Sequence, residues 1–269
     1  MRGLSGGLVG VMALGMAWPV WAASVDLPRG MTSENEKAID TGIEYTRIFE
    51  RRFKPPVQET NKLILSNQSH LRLGYTFVNW LQPFAKLGTS EFEQKRKNSL
   101  LIGSSDRRTI DFKYEWAFSW GGGIAGTYPV EEGWFVGYST QYLRSDNALR
   151  QAVDNGEASS HAGGKGKVRE WDASGLVGYS FDVGNRWDKP PKIYSYLGGR
   201  YSDFELHTES MEYDLSSGNT AVPNGVSRAN DKFGVFGGVA LDIGDVWQVA
   251  LEGRLVDEKA VTGRFSVRF

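Results

Sequence analysis

The plainest pattern in the chain runs from Ile110 to Gly121. Ile110, Phe112, Tyr114, Trp116, Phe118 and Trp120 take every second position, and Asp111, Lys113, Glu115, Ala117, Ser119 and Gly121 take the others. A period of two places each set on its own face of a strand. Six successive large apolar positions opposite charges predict a wall whose greasy side faces lipid and whose polar side faces a lumen. The alternation recurs. Leu71, Leu73, Tyr75 and Phe77 oppose His70, Arg72, Gly74 and Thr76. Trp171, Ala173, Val177, Tyr179 and Phe181 oppose Glu170, Asp172, Ser174, Ser180 and Asp182. Ten strands are predicted: about 41–50, one ending near 77, 82–94, 110–120, 134–144, 170–182, 193–207, one through 233–241, 247–255 and 262–269. Arg47 is a misfit in the first, Pro83 weakens the third, and a bulge is expected at Gly198-Gly199 in the seventh. Arg72, Lys113, Glu115, Glu170, Asp172, Glu252, Arg254, Arg264 and Arg268 are expected to face inward.

The connections alternate between short and long. Asn79-Trp80, Pro129 to Gly133, Val183 to Pro191 and Ile243 to Val246 are short; Arg51 to Lys62, Lys95 to Arg108, Asp146 to Lys167 and Glu209 to Lys232 are longer, polar and glycine-rich. Only the last, Asp257 to Val261, breaks the rule. Short inner turns and long outer loops belong to membrane-spanning barrels. Trp80, Trp134, Trp187 and Trp247 each stand at or beside a short turn, where indole is favoured between apolar and wet surroundings. The fold class predicted is all-β, a transmembrane antiparallel up-and-down barrel over residues 41–269, of ten strands with eight as the alternative.

The N-terminus changes the compartment. Residues 1–22 carry one charge, Arg2, then a stretch mostly apolar or glycine that ends Val20-Trp21-Ala22, which predicts a secretory signal cut before Ala23. Residues 23–40 are polar and predict a periplasmic lead-in, with Ser33-Glu34-Asn35-Glu36 matching a capping box. Without Arg2, the 31 basic residues become 30, against 32 acidic ones, so no basic excess argues for nucleic acid. There is no cysteine, hence neither disulfides nor thiolate chemistry. The 33 glycines and 13% aromatic residues suit strands and tight turns.

Thr262 to Phe269 alternates strictly, with Gly263, Phe265, Val267 and Phe269 on one face. This stretch resembles the C-terminal signal strand of bacterial outer-membrane barrels, with Arg264 standing where that pattern has glycine. The whole mature chain resembles the OmpA-like and opacity-like small barrels. These resemblances imply the outer membrane of a Gram-negative bacterium, contact with its lipid, and recognition by the barrel-assembly machinery through Phe265, Val267 and Phe269. They carry no functional residue and name no extracellular ligand.

Candidate chemistry is sparse. His161 lies in a small-residue loop, and Ser69 and His70 face opposite sides of a strand, so the serine is not activated by its neighbour. Asp203, Glu205, His207 and Glu209 have strand spacing and share a face near the outer end of the seventh strand. That row resembles the acidic-plus-histidine rim of the omptin proteases, without a matching motif for the opposite wall. The lumen charges are of both signs in similar number, which predicts a salt-bridged interior in so narrow a barrel. No phosphate loop, metal-ligand spacing or nucleophile elbow occurs, so no cofactor or metal is expected. The function expected is a non-enzymatic outer-membrane protein, structural or interacting through its outer loops. A rim hydrolase using His207 with Asp203 or Glu205, and a narrow pore, are the alternatives.

Overall fold

The computed structural model describes residues 37–54, 60–78, 80–100, 107–184, 190–215, 218–244 and 246–269. The expected signal over 1–22, nearly all of the lead-in, Asn79 and Trp187 lie outside them. Among the described residues no helix is long and apolar enough to cross a membrane.

The described residues form sixteen strands: β1 (Ala38–Arg52), β2 (Thr60–Thr76), β3 (Gln82–Leu100), β4 (Arg107–Tyr114), β5 (Ala117–Glu131), β6 (Trp134–Asp154), β7 (Glu157–Ala158), β8 (His161–Gly163), β9 (Lys165–Asp182), β10 (Lys192–Thr208), β11 (Met211–Leu215), β12 (Gly218–Val222), β13 (Gly225–Arg228), β14 (Phe233–Ile243), β15 (Trp247–Leu255) and β16 (Glu258–Arg268). The first begins at Ala38, three residues before the expected start. β1 pairs with β2 and β2 with β3; β3 pairs with β4 and then β5, and both of these pair with β6. From β6 the ladders continue through β9, β10, β14, β15 and β16, and β16 returns to β1. All are antiparallel. Counting β4 and β5 as one, ten staves close on themselves, so no stave presents an open edge to lipid. At the tight β5–β6 turn, Glu132 and Gly133 have φ of 36° and 88°, the left-handed pair that a two-residue hairpin demands.

Stave length divides the barrel in two. β14, β15 and β16 have 11, 9 and 11 residues, about what a tilted strand needs to cross a bilayer, roughly 9–11. β3 and β6 run to 19 and 21, so their far ends stand clear of it. Much of what reads as long polar loop in the sequence is therefore strand. Above the ends of β14–β16 the ring is closed differently. β13 pairs with β10, and the chain just beyond it meets β1: the Lys54 amide donates to the Arg228 carbonyl at 2.8 Å, and the Asn230 amide to the Arg52 carbonyl at 2.9 Å. Phe53 sits opposite Ala229. The upper ring thus consists of β1, β2, β3, β4, β6, β9, β10 and β13. The barrel narrows from ten strands to eight.

Polarity reverses across that neck. Below it, Leu71, Leu73, Phe118, Trp120, Val177, Val239, Leu251 and Phe265 are exposed on the outer wall, while Glu44, Arg72, Lys86, Gln248 and Arg264 are buried inside. Above it most charges lie outside and the apolar side chains inside, Arg96 and Asp154 being buried exceptions. This corrects the reading of residues 110–120 as one lipid-facing strand. Ile110, Phe112 and Tyr114 are buried at 0%, 0% and 3% exposure, whereas Trp116, Phe118 and Trp120 are exposed. The strand breaks at Glu115-Trp116, which exchanges the faces; Lys113 and Glu115 accordingly do not point into the lumen. The break is held by Asn147, a fully buried side chain whose Nδ2 donates to the carbonyls of Ser90 (2.7 Å) and Glu115 (2.9 Å).

The bulge expected at Gly198-Gly199 is also absent, since β10 keeps continuous register with both β9 and β14. A Cβ at Gly198 would lie 2.3 Å from both the Gly175 carbonyl oxygen and the Phe236 ring, so the glycine answers close packing in the lumen.

Candidate functional site

Two features could carry function: the interior of the eight-stranded part, and the charged surface around it. The interior is largely apolar, with Asn61, Gln94, Arg96 and Asp154 buried among the apolar side chains. Ile48, Leu63, Phe92, Ile110, Phe112, Tyr114, Leu149, Phe204 and Leu206 point into it and belong to one buried cluster. Eight strands enclose a space that side chains alone can fill. Over the mouth lies a separate three-stranded sheet, β12–β11–β8. Its Met211, Tyr213, Leu215 and Val222 face down into the same cluster. Phe112 meets the Tyr213 ring edge-on at 6.3 Å, and Phe92 stacks on Tyr114 at 4.2 Å. The Tyr213 hydroxyl donates to Asp154 Oδ2 at 3.2 Å. Burial, with the Asp154 carboxylate beside it, pushes this phenol above its ordinary range.

Directly beneath, at the neck, the interior turns ionic. Arg51 reaches Glu170 at 2.6 Å and also Glu258; Arg200 reaches Asp172 at 2.5 Å, Glu170 at 2.9 Å and again Glu258; Arg254 reaches Glu258 at 2.6 Å. Arg51 also lies over the Phe204 ring at 4.5 Å, joining the ionic layer to the apolar one. Lower still, Lys86 donates to both oxygens of Glu44 and to Gln141 Oε1, each at 2.9 Å. A second apolar cluster of Phe135, Leu176, Tyr194, Tyr196, Phe236, Ala240 and Ala250 fills the opposite side of the lumen. The expected salt-bridged lumen is present, with an apolar plug above it that the sequence reading did not contain.

The candidate catalytic residues are placed elsewhere than expected. Asp203, Glu205 and His207 lie on the outer wall of the upper ring, because their neighbours Phe204 and Leu206 occupy the inside. Each carboxylate is engaged. Glu205 accepts from His207 Nε2 (3.0 Å) and Arg228 Nε (2.7 Å), and Asp203 pairs with Lys232 at 2.7 Å. The hydrogen bond from His207, then that from Arg228, holds the Glu205 carboxyl below its usual value. Glu209 pairs with Lys167 at 2.8 Å. One Ser–His contact escaped the sequence reading: His70 Nε2 lies 3.0 Å from Ser119 Oγ across β3, over Gly88. Both are buried, at 1% and 3% exposure, so no substrate reaches them. Their separation of 49 positions hides the contact from any local pattern. Among the described residues no group of three His, Cys, Asp or Glu could hold a metal ion.

Aromatic rings bracket the apolar belt. At the short-turn end Trp80, Trp134 and Trp247 are exposed, Trp134 meets Tyr179 edge-on at 5.3 Å, and Trp247 stacks on Phe265 at 5.4 Å. Toward the neck, Tyr201 meets Trp171 at 5.8 Å and Phe233 at 5.2 Å. Phe265 and Phe269 are exposed beside this belt, Val267 is half-buried, and β16 is paired along both edges. A closed antiparallel ring with an apolar outer belt between two aromatic rows and a polar lumen is the arrangement that lipid imposes on strands. The protein is an outer-membrane β-barrel.

No family model and no curated protein matches the chain. Among solved structures the barrel is similar to the translocator domain of the autotransporter NalP from Neisseria meningitidis, at 11% identity over 88% of this chain and 90% of that one, with a TM-score of 0.46. The transport unit of the autotransporter AIDA-I from Escherichia coli shows 13% identity over 97% of both chains and a TM-score of 0.43. The COG4313 outer membrane channel from Pseudomonas putida F1 shows 12% identity over 92% of this chain and all of that one, with a TM-score of 0.34. Likenesses this distant bear on neither activity nor partner.

Proposed function

We propose that the barrel is a non-enzymatic, non-conducting scaffold that carries a rigid β-built head on the outer side of the membrane, and that this head is its interacting surface. The single observation behind the reading is the dry plug: an eight-stranded ring filled by Phe92, Ile110, Phe112, Phe204 and Leu206 and capped by the β11–β12 hairpin. Wide aqueous lumens belong to barrels of about 16 strands or more. The head is placed outside because the short turns lie at the opposite end, as inner turns do. Engaged carboxylates around His207 and the sealed His70–Ser119 pair favour no hydrolase. Purified protein reconstituted in planar bilayers tests the reading. The expected result is a flat trace at voltages where control porins conduct; stable, reproducible steps from the wild type would overturn it.

A further inference from the structure

The outer wall of the head is not evenly charged. On the β6–β9 face, Arg144, Arg150, Lys165, Lys167 and Arg169 accompany Asp146, with Glu209 paired to Lys167 at 2.8 Å and Glu205 opposite Arg169 in the β9–β10 ladder. On the β3–β4 side, the four acids Glu91, Glu93, Asp111 and Glu115 accompany three bases, Lys95, Lys97 and Lys113. Within the basic face, Arg144 and Arg169 stand directly opposite each other in the ladder. Like charges so placed repel, so this pair by itself adds nothing to the stability of the sheet. Arg144 gives Nη2 to Asp146 at 3.1 Å, and the Arg169 guanidinium has no hydrogen bond or ion pair among the described residues.

One step down the same ladder lies an aromatic row. Tyr142 is opposite Trp171, Trp120 meets Tyr142 edge-on at 6.1 Å, and Trp120 pairs with Arg144 itself. Trp120 and Trp171 are exposed at 45% each, in the outer of the two aromatic rows. The two guanidinium groups therefore sit at the height where lipid headgroups begin, with rings below them at the height of the first acyl carbons. Beside them a groove of about 450 Å³ is lined by Lys167, Arg169, His207, Thr208, Glu209 and Asn224.

We infer that Arg144 and Arg169 form a binding site for the phosphate of an outer-leaflet lipid, whose acyl chains lie along Trp120, Tyr142 and Trp171. A phosphate takes parallel hydrogen bonds from a planar guanidinium and removes the repulsion between the pair. Lys165 adds charge above it, and Lys167 is shared with Glu209. The aromatic row argues for a lipid rather than a free anion, which would need no apolar floor.

Native mass spectrometry of the folded barrel in mild detergent, titrated with a bis-phosphorylated acylated glucosamine disaccharide, provides the test. The double variant R144Q/R169Q is compared with K95Q/K113Q, which removes the same charge from the acidic side; the heat-dependent gel shift verifies folding of both. Two charge-assisted contacts predict at least about tenfold weaker binding in R144Q/R169Q and little change in K95Q/K113Q. Unchanged binding in the first variant, or equal losses in both, would overturn the site. Displacement of the lipid by inorganic phosphate at comparable concentration would overturn the lipid assignment and leave a free-anion site.

Discussion

Phe112→Ala separates a packed interior from a lipid-facing wall. Phe112 has no exposed surface and lies against Tyr213, beneath the Arg96 guanidinium at 5.6 Å. A buried aromatic side chain removes about 150–250 Å² from water. At about 25 cal/mol per Å² that amounts to roughly 4–6 kcal/mol, an upper bound because unfolded chains already hide some surface. Truncation in a core that relaxes only partly costs about 3–5 kcal/mol. Phe118, six positions on and 62% exposed, is the matched control. Lipid fills the space left by Phe118→Ala, and the loss is nearer about 0.5 kcal/mol. Reversible urea unfolding in lipid vesicles, followed by tryptophan fluorescence, gives both values on one scale. Equal costs, or a larger one at Phe118, would refute the reversal of faces at the 115–116 break.

Two further outcomes follow from local geometry. Asn147→Ala leaves the buried carbonyls of Ser90 and Glu115 without their side-chain donor and should cost about 2–4 kcal/mol, with faster amide exchange confined to the facing segments of β3, β4 and β6; uniform exchange across the barrel would contradict the local role. Because the Glu205 carboxyl is held low by His207 and Arg228, its contribution is present above the ordinary carboxylate range and is lost as pH falls through the lowered value. The stability gap between wild type and Glu205→Gln should therefore shrink from about pH 6 to about pH 3, and a gap that widened would contradict the pairing.

The membrane half was legible because lipid outside and polar groups inside leave a period of two with one fixed sense. Residues 171–181 and 247–255 follow it apart from Leu176 and Ala250, which join the apolar cluster in the lumen, and Trp80, Trp134 and Trp247 lie by their turns. The head was not legible, for a reason visible in residues 110–120. Alternation states which residues share a face and not which face is inside. Both halves of that segment keep their apolar residues on even numbers, and two residues at the break exchange inside for outside. The row Asp203, Glu205 and His207 reads as lumen wall for the same cause. Polar positions such as Lys95, Arg150 and Lys165 read as loop because strands clear of the bilayer put their charges outward. The plug needs residues as distant as Ile48, Phe112 and Tyr213, which no window of sequence brings together.

The change from ten strands to eight gives the barrel two seams instead of one, and β1 is party to both. Its membrane portion closes on β16, joining Asp40 to Arg268, while its upper end closes on the chain at Ala229. An ordinary barrel can unzip laterally where its first and last strands meet. Here the opening stops at the neck, because the upper clasp belongs to a different pair of segments and is backed by the dry plug. Fraying at the lower seam is thereby confined to the height of the bilayer. Both seams join positions far apart in the chain, Phe53 with Ala229 above and Asp40 with Arg268 below, so each closure carries the entropy of a long loop.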